Sequence, residues 1–146
     1  MEKKVIITVS GTQCLEDQEQ EDIELMTEGA YEYAGDTGSF RYEESEITGM
    51  EGTTTEFQFS PAEVVISRKG TFASRMVFVE GRKNVFLYET PYGSATLGVD
   101  THKITNKLGE HGGELNIDYT LQLDRMMVSR NRFLVKIKEQ AVESDE

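Results

Sequence analysis

Leu115-Asn116-Ile117-Asp118-Tyr119-Thr120-Leu121-Gln122-Leu123 alternates apolar and polar residues without exception. Successive side chains of a strand point to opposite faces, so Leu115, Ile117, Tyr119, Leu121 and Leu123 share one face. A helix would scatter the same residues around its cylinder. The stretch therefore reads as a half-buried antiparallel strand. Working outward, related patterns cover 4–13, 22–33, 38–47, 52–60, 63–70, 72–80, 84–90, 94–101 (or on to 108), 113–124 and 132–139. Turn signals separate them at the regular spacing of barrels and sandwiches. Ser60-Pro61 and Thr90-Pro91-Tyr92-Gly93 place proline where a β-turn wants a fixed φ. Short connections make consecutive strands neighbours, which gives an antiparallel meander. Gly11, Gly29 and Gly98 fall inside strands, where glycine marks a bulge or a sharp bend and favours a coiled, closed sheet over a flat sandwich. The expected fold class is all-β: a single antiparallel up-and-down barrel of about eight to ten strands.

At 146 residues the chain reads as one domain over 1–146, with no repeat, linker or composition break. A chain of this length buries roughly two-thirds of the surface it exposes when unfolded. The acidic stretch 15–22 has no apolar stripe to pack and reads as a solvated loop, and the acidic tail 140–146 as frayed. The net charge of −12 repels phosphate backbones and anionic lipid, which argues against nucleic-acid binding. The single cysteine, Cys14, offers no intrachain disulfide. Val5-Ile6-Ile7-Thr8-Val9 is too short for the core of a signal peptide or for a membrane span, and reads as a first strand. A cytoplasmic protein without membrane attachment is expected.

Sorting the strands by parity assembles an inward face. It holds Val5, Ile7 and Val9; Ile23, Leu25, Tyr31 and Tyr33; Phe40 and Tyr42; Phe57 and Phe59; Val64 and Ile66; Phe72, Met76 and Phe78; Leu97 and Val99; the residues Leu115 to Leu123 quoted above; and Phe133, Val135 and Ile137. Strand 84–90 is ambiguous, because Val85/Leu87 and Phe86/Tyr88 are both apolar sets. Two inward faces run into charge. Phe40 and Tyr42 are followed by Glu44 and Glu46, and Val64 and Ile66 by Arg68. A lone charge in an apolar interior costs several kcal/mol, so such groups pair, reach solvent, or hold a ligand. A Glu44–Arg68 pair at one barrel end is the sharpest structural expectation. It has two readings: an ion pair that plugs the end, or a polar anchor at the base of a pocket.

If there is a ligand, parity and chemistry give it a lining of Tyr42, Glu44, Met76, Tyr88 and Tyr119, with Arg68 as anchor. The planar guanidinium suits a carboxylate or phosphate, whereas the acidic exterior slows anions, so a modestly charged amphiphile is the expected guest. Other motifs carry less. His102 and His111 lack zinc-ligand spacing and read as surface residues, and Gly109-Glu110-His111-Gly112-Gly113 reads as a hairpin turn rather than a phosphate loop. No metal or cofactor is expected. No serine or cysteine sits in a nucleophile elbow.

Several words of the sequence resemble the YwiB-like family, small uncharacterised bacterial proteins with a calycin-type (lipocalin-like) β-barrel. They are Thr27-Glu28-Gly29 with Tyr31, Phe40-Arg41-Tyr42-Glu43-Glu44-Ser45-Glu46 with Thr48-Gly49, and Thr53-Thr54 with Phe57. Ser67-Arg68-Lys69-Gly70, Met76-Val77-Phe78, Tyr88-Glu89-Thr90-Pro91-Tyr92-Gly93 and Gly113-Glu114-Leu115 with Tyr119 complete the set. The resemblance spans about residues 5 to 138. It implies the barrel and a cytoplasmic bacterial protein, and it carries over no catalytic residue. Two functions stand: a non-enzymatic barrel that holds a small amphiphilic molecule, or an interaction module with a side-chain-filled barrel and a partner protein outside. An enzyme would need an acid–base pair, and only Glu44 with Tyr88 or Arg68 supplies one, so no enzymatic activity is expected.

Overall fold

The computed structural model describes residues 2–15, 21–123 and 126–140; of the acidic stretch expected as a loop over 15–22, residues 16–20 lie outside the described residues, whereas Leu15 ends the first strand and Glu21 and Asp22 open the second, and the tail beyond Gln140 lies outside as well. Ten strands follow in chain order: β1 (Lys3–Leu15), β2 (Glu21–Ala34), β3 (Thr37–Glu43), β4 (Thr53–Ser60) and β5 (Glu63–Gly70). They continue with β6 (Ser74–Phe78), β7 (Lys83–Thr90), β8 (Gly93–Asn106), β9 (Gly112–Leu123) and β10 (Met126–Glu139). All pair antiparallel in the order β6-β5-β4-β3-β2-β1-β10-β9-β8-β7. No helix long and apolar enough to cross a membrane occurs among the described residues.

Every consecutive pair of strands is adjacent in space, and β1 joins β10, so the meander curls round until β6 meets β7. There the ladder is replaced by a seam. Ala73 and Glu89 exchange backbone hydrogen bonds at 3.0 and 2.9 Å. The Asn84 side-chain amide donates to the Val77 carbonyl at 3.1 Å. The result is a nearly closed ten-stranded barrel.

Alternation places the core where parity expects it: Val5, Ile7, Phe57, Val64, Ile66, Phe78, Leu115, Ile117 and Val135 are all fully buried. On β7 the ambiguity resolves towards Phe86, which is buried, while Val85 and Leu87 are exposed. A chain of ring contacts crosses the lumen. Phe40 stacks on Phe57 with centroids 4.5 Å apart, Phe57 meets Phe133 edge-on at 6.1 Å, Phe133 stacks on Tyr119 at 5.7 Å, and Tyr119 meets Phe78 edge-on at 5.0 Å. Because β4 and β10 stand on opposing walls, these rings close the barrel at its waist.

Several expectations are corrected. Leu123 (40 % exposed) lies at the end of β9 and outside the core, whereas Ile23 keeps its inward side but is 47 % exposed because it lines the open end of the barrel. The third strand stops at Glu43, because Ser45–Gly49 turns back on itself: Thr48 N–H donates to Ser45 O at 3.2 Å and Gly49 adopts φ 76°. Glu46 is thereby carried out to solvent instead of following Glu44 inward. The sixth strand is only Ser74–Phe78, and Phe72 precedes it in a bend. Bulges fall between Thr101 and Lys103 and between Met127 and Ser129, not at the strand glycines. The first switches the inward parity of β8 from Val99 and Thr101 to Ile104.

Two of the strand glycines do opposite work. A Cβ at Gly29 would run into the Ile7 side chain and stand 2.5 Å from the Arg41 carbonyl oxygen, so Gly29 lets two strands and a core side chain close up. A Cβ at Gly11 would meet nothing nearer than 3.9 Å. Gly29→Ala should therefore destabilise by about 1–3 kcal/mol through overpacking. Gly11→Ala should stabilise by about 0.5–1 kcal/mol by removing backbone entropy from the unfolded chain. Urea unfolding of the two variants should show midpoints shifted in opposite directions.

Candidate functional site

One end of the barrel has a polar interior. The register sets Tyr42 on β3 opposite Thr55 on β4, Thr55 opposite Arg68 on β5, and Arg68 opposite Ser74 on β6. This cross-strand row follows from inward parity carried one step beyond Phe40, Phe57, Ile66 and Met76 on the four strands. Glu44 continues the inward face of β3, since its N–H still bonds to Thr53 O at 2.8 Å.

The Glu44 carboxylate is held by hydroxyls. Thr48 Oγ1 donates to its Oε1 at 2.9 Å, and Thr55 Oγ1 donates to its Oε2 at 2.5 Å. Arg68 Nε stands 3.8 Å from Glu44 Oε2, with 9 % of the Arg68 side chain and 1 % of the Glu44 side chain exposed. At that separation the two charges neutralise each other, but no hydrogen bond joins them. Arg68 Nε is therefore buried without a hydrogen-bond partner among the described residues, and so is the hydroxyl of Ser74, its neighbour in the row. Burial, with the Glu44 charge second, pushes the Tyr42 phenol above the ordinary tyrosine range; burial raises Tyr119 as well, against the pull of Arg68.

Above the waist rings lies a cavity of about 170 Å³ that opens at this end. Tyr42, Tyr119 and Phe133 supply its aromatic wall, Val9, Ile23 and Leu25 its aliphatic wall, Glu44, Arg68 and Arg132 its charged groups, the last paired with Asp118 at 3.4 Å, and Thr12, Gln13, Thr48 and Asn131 its uncharged polar ones. Gly11 lines it too, and the missing side chain there is part of what leaves the space. Asn131 is fixed by donating to Ser129 Oγ at 2.9 Å.

Of the six residues expected around a ligand, the structure gathers Tyr42, Glu44, Arg68 and Tyr119 at the cavity. Met76 is instead packed in the hydrophobic core, and Tyr88 is half-buried near the seam, 6.2 Å from the ring of Phe72. Both have inward parity, but parity fixes the face of a strand and not the height along the barrel. Gln13, Gly11 and Asn131 were reachable by the same parity on β1 and β10. Thr48 and Met50 lie in the loop between β3 and β4, where no periodic signal exists. The histidines stand apart: His102 bonds to Thr120 at 2.6 Å and His111 to Glu139 at 2.5 Å.

Fold and site together define a small antiparallel β-barrel with a plugged waist and one polar-ended cleft. Residues 7–135 match the family described as a domain of unknown function, DUF1934, and the chain belongs to that family. It is 27 % identical over 124 residues to the uncharacterized β-barrel protein YwiB of Bacillus subtilis strain 168, covering 84 % of this chain and 86 % of that one. The crystal structure of the ywiB protein from Bacillus subtilis has the same fold, with a TM-score of 0.84 over 96 % of this chain and 94 % of the other at 22 % identity.

Arg68→Met leaves a carboxylate buried without its counter-charge and should cost about 3–5 kcal/mol. Adding Glu44→Gln should recover part of that loss, so that the double variant is more stable than the sum of the two single changes predicts; a denaturation cycle measures the coupling. Alkali provides a second check. Tyr31, buried and bonded to the Gly109 carbonyl at 2.5 Å, has its phenol pushed up to about 12 by burial. Tyr42 and Tyr119 move in the same direction. A raised phenol pKa favours the neutral folded form, so this stability is complete below about pH 10, where the unfolded tyrosines ionise. It is lost as pH rises through the folded values. The phenolate absorbance contributed by Tyr31, Tyr42 and Tyr119, isolated by replacing each in turn with Phe, should appear only together with the loss of near-ultraviolet circular dichroism.

Proposed function

We propose that this chain is a non-enzymatic, calycin-type binding barrel that takes one small, partly apolar molecule into the cleft at its polar end. The observation that carries the reading is a buried, charge-balanced Arg68 whose Nε–H has no acceptor among the described residues, on the wall of an otherwise largely apolar cavity. Binding sites combine an apolar lining with a few placed polar groups in this way. At about 170 Å³ the cavity is close to the ~150 Å³ that accommodates benzene and below the ~300 Å³ where drug-sized pockets begin. The waist rings block any deeper passage, so the guest is the size of one substituted ring and not a long-chain lipid.

An enzymatic role finds little support. Both oxygens of Glu44 are engaged by threonine hydroxyls, and Tyr88 does not line the cavity, so the acid–base set is not assembled. The charged outer face, with Lys4, Glu24, Glu28, Lys136 and Lys138 on β1, β2 and β10, supports a barrel whose outer wall meets water and not lipid, as that of a cytoplasmic protein would. A second reading, docking of a partner protein, is favoured by one observation: Val85, Leu87 and Tyr92 are 74, 49 and 95 % exposed on the β7–β8 hairpin.

A fragment screen followed by two-dimensional NMR distinguishes the two. Guests of the cleft should shift the resonances of Val9, Leu25, Tyr42 and Tyr119 together. Gly11→Leu, which projects a side chain into the cavity without a backbone clash, should abolish those shifts while leaving the rest of the spectrum intact. Binding at about 100 times the dissociation constant should add about 2.7 kcal/mol to stability. Shifts that survive Gly11→Leu, or that fall on Val85 and Leu87, would remove the cleft from consideration.

A further inference from the structure

The chemistry at the polar end also selects the class of guest, and this selection rests on the binding reading above. A solitary buried arginine would recruit a carboxylate or phosphate, with which its fork pairs bidentately. Arg68 is not solitary. Glu44 already supplies its counter-charge from 3.8 Å, inside the same pocket wall. An anionic guest at the guanidinium would stand within a few ångströms of a second, buried carboxylate. Like charges at such range in a low-dielectric site repel strongly. The net charge of −12 adds a further barrier to the approach of any anion.

What Arg68 lacks is a hydrogen-bond acceptor and not a charge. Glu44 gives its oxygens to Thr48 and Thr55, so the ion pair consumes none of the donor capacity of Arg68 Nε. A guanidinium short of acceptors gains from any oxygen brought to its cavity side, charged or neutral. Of the two, only the neutral one avoids the repulsion from Glu44.

We infer that the cleft selects a neutral molecule about the size of one substituted ring, with a carbonyl or hydroxyl oxygen accepting from Arg68 and its apolar body against Tyr42, Tyr119, Phe133 and Leu25. Glu44 thus acts as a specificity residue: it balances the charge of Arg68 while denying the site to anions.

Three ring-sized probes test this by thermal shift at low ionic strength: benzamide (neutral with an acceptor), benzoate (the anionic near-isostere) and toluene (no acceptor). Benzamide should raise Tm and bind at least about tenfold more tightly than either other probe, a difference of about 1.4 kcal/mol. Glu44→Gln keeps an acceptor for the threonines but removes the charge, and should invert the order so that benzoate exceeds benzamide. Benzoate matching or exceeding benzamide on the unmodified protein would overturn the inference while leaving the cleft a binding site. So would toluene matching benzamide, or an unchanged order in Glu44→Gln. No shift from any of the three would overturn the inference and the binding reading together. Should Glu44→Gln fail to fold, the ranking on the unmodified protein decides alone.

Discussion

The ladder between β1 and β10 is the constraint on which the barrel depends. Val5 pairs with Glu139 and Leu15 with Ser129, so nearly the whole of the first strand is zipped to the last. On its other side β1 pairs with β2 from Lys3 to Gln13. No other continuous ladder among the described residues links the six-strand and four-strand halves of the meander. Without it the inner faces of β3–β5 and of β8–β10 have nothing to close against, and the ring contacts from Phe57 to Phe133 and from Tyr119 to Phe78 cannot form. Such closure between sequence-distant strands costs loop entropy before any contact rewards it, which places this chain among slow-folding topologies.

The waist rings divide the interior into two regions with different chemistry. On the side of Tyr31, Tyr33 and Phe59 the lumen is filled by stacked aromatics and sealed by the Tyr31 hydroxyl on Gly109. On the other side the inward positions turn to Thr53, Thr55, Glu44, Arg68, Ser129 and Asn131, all with little or no exposure. A buried ion pair with a polar shell is a weak source of stability compared with well-packed hydrophobic residues. A barrel already closed by aromatic packing at the other end has no structural need for one, and that asymmetry is what turns attention to binding.

Much of this was legible in the sequence because strand geometry has a period of two and a one-residue error inverts every face. The alternation from Leu115 to Leu123 fixes which side of β9 is inward, and parity on β3 and β5 is enough to bring Glu44 and Arg68 together. Parity fails where the period is broken. The bulge at Thr101/Lys103 moves Ile104 inward, and the turn at Ser45–Gly49 sends Glu46 outward. It also carries no information about depth, which is why Met76 and Tyr88 joined a lining they do not belong to. The cavity itself was the hardest feature to see, because it is shaped partly by what Gly11 lacks.

The seam at Ala73 and Glu89 has a consequence for the behaviour of many copies together. A fully hydrogen-bonded barrel has no edges, whereas this one presents two, β6 and β7, along a single line on its surface. Unpaired strand edges template the addition of strands from neighbouring molecules, and that is the ordinary route to aggregates. Here the exposed line is kept short by a five-residue β6 and is flanked by Arg75, Lys83 and Glu89. Charge and brevity do at the seam what closure does around the rest of the wall: they leave an incoming strand little backbone to pair with.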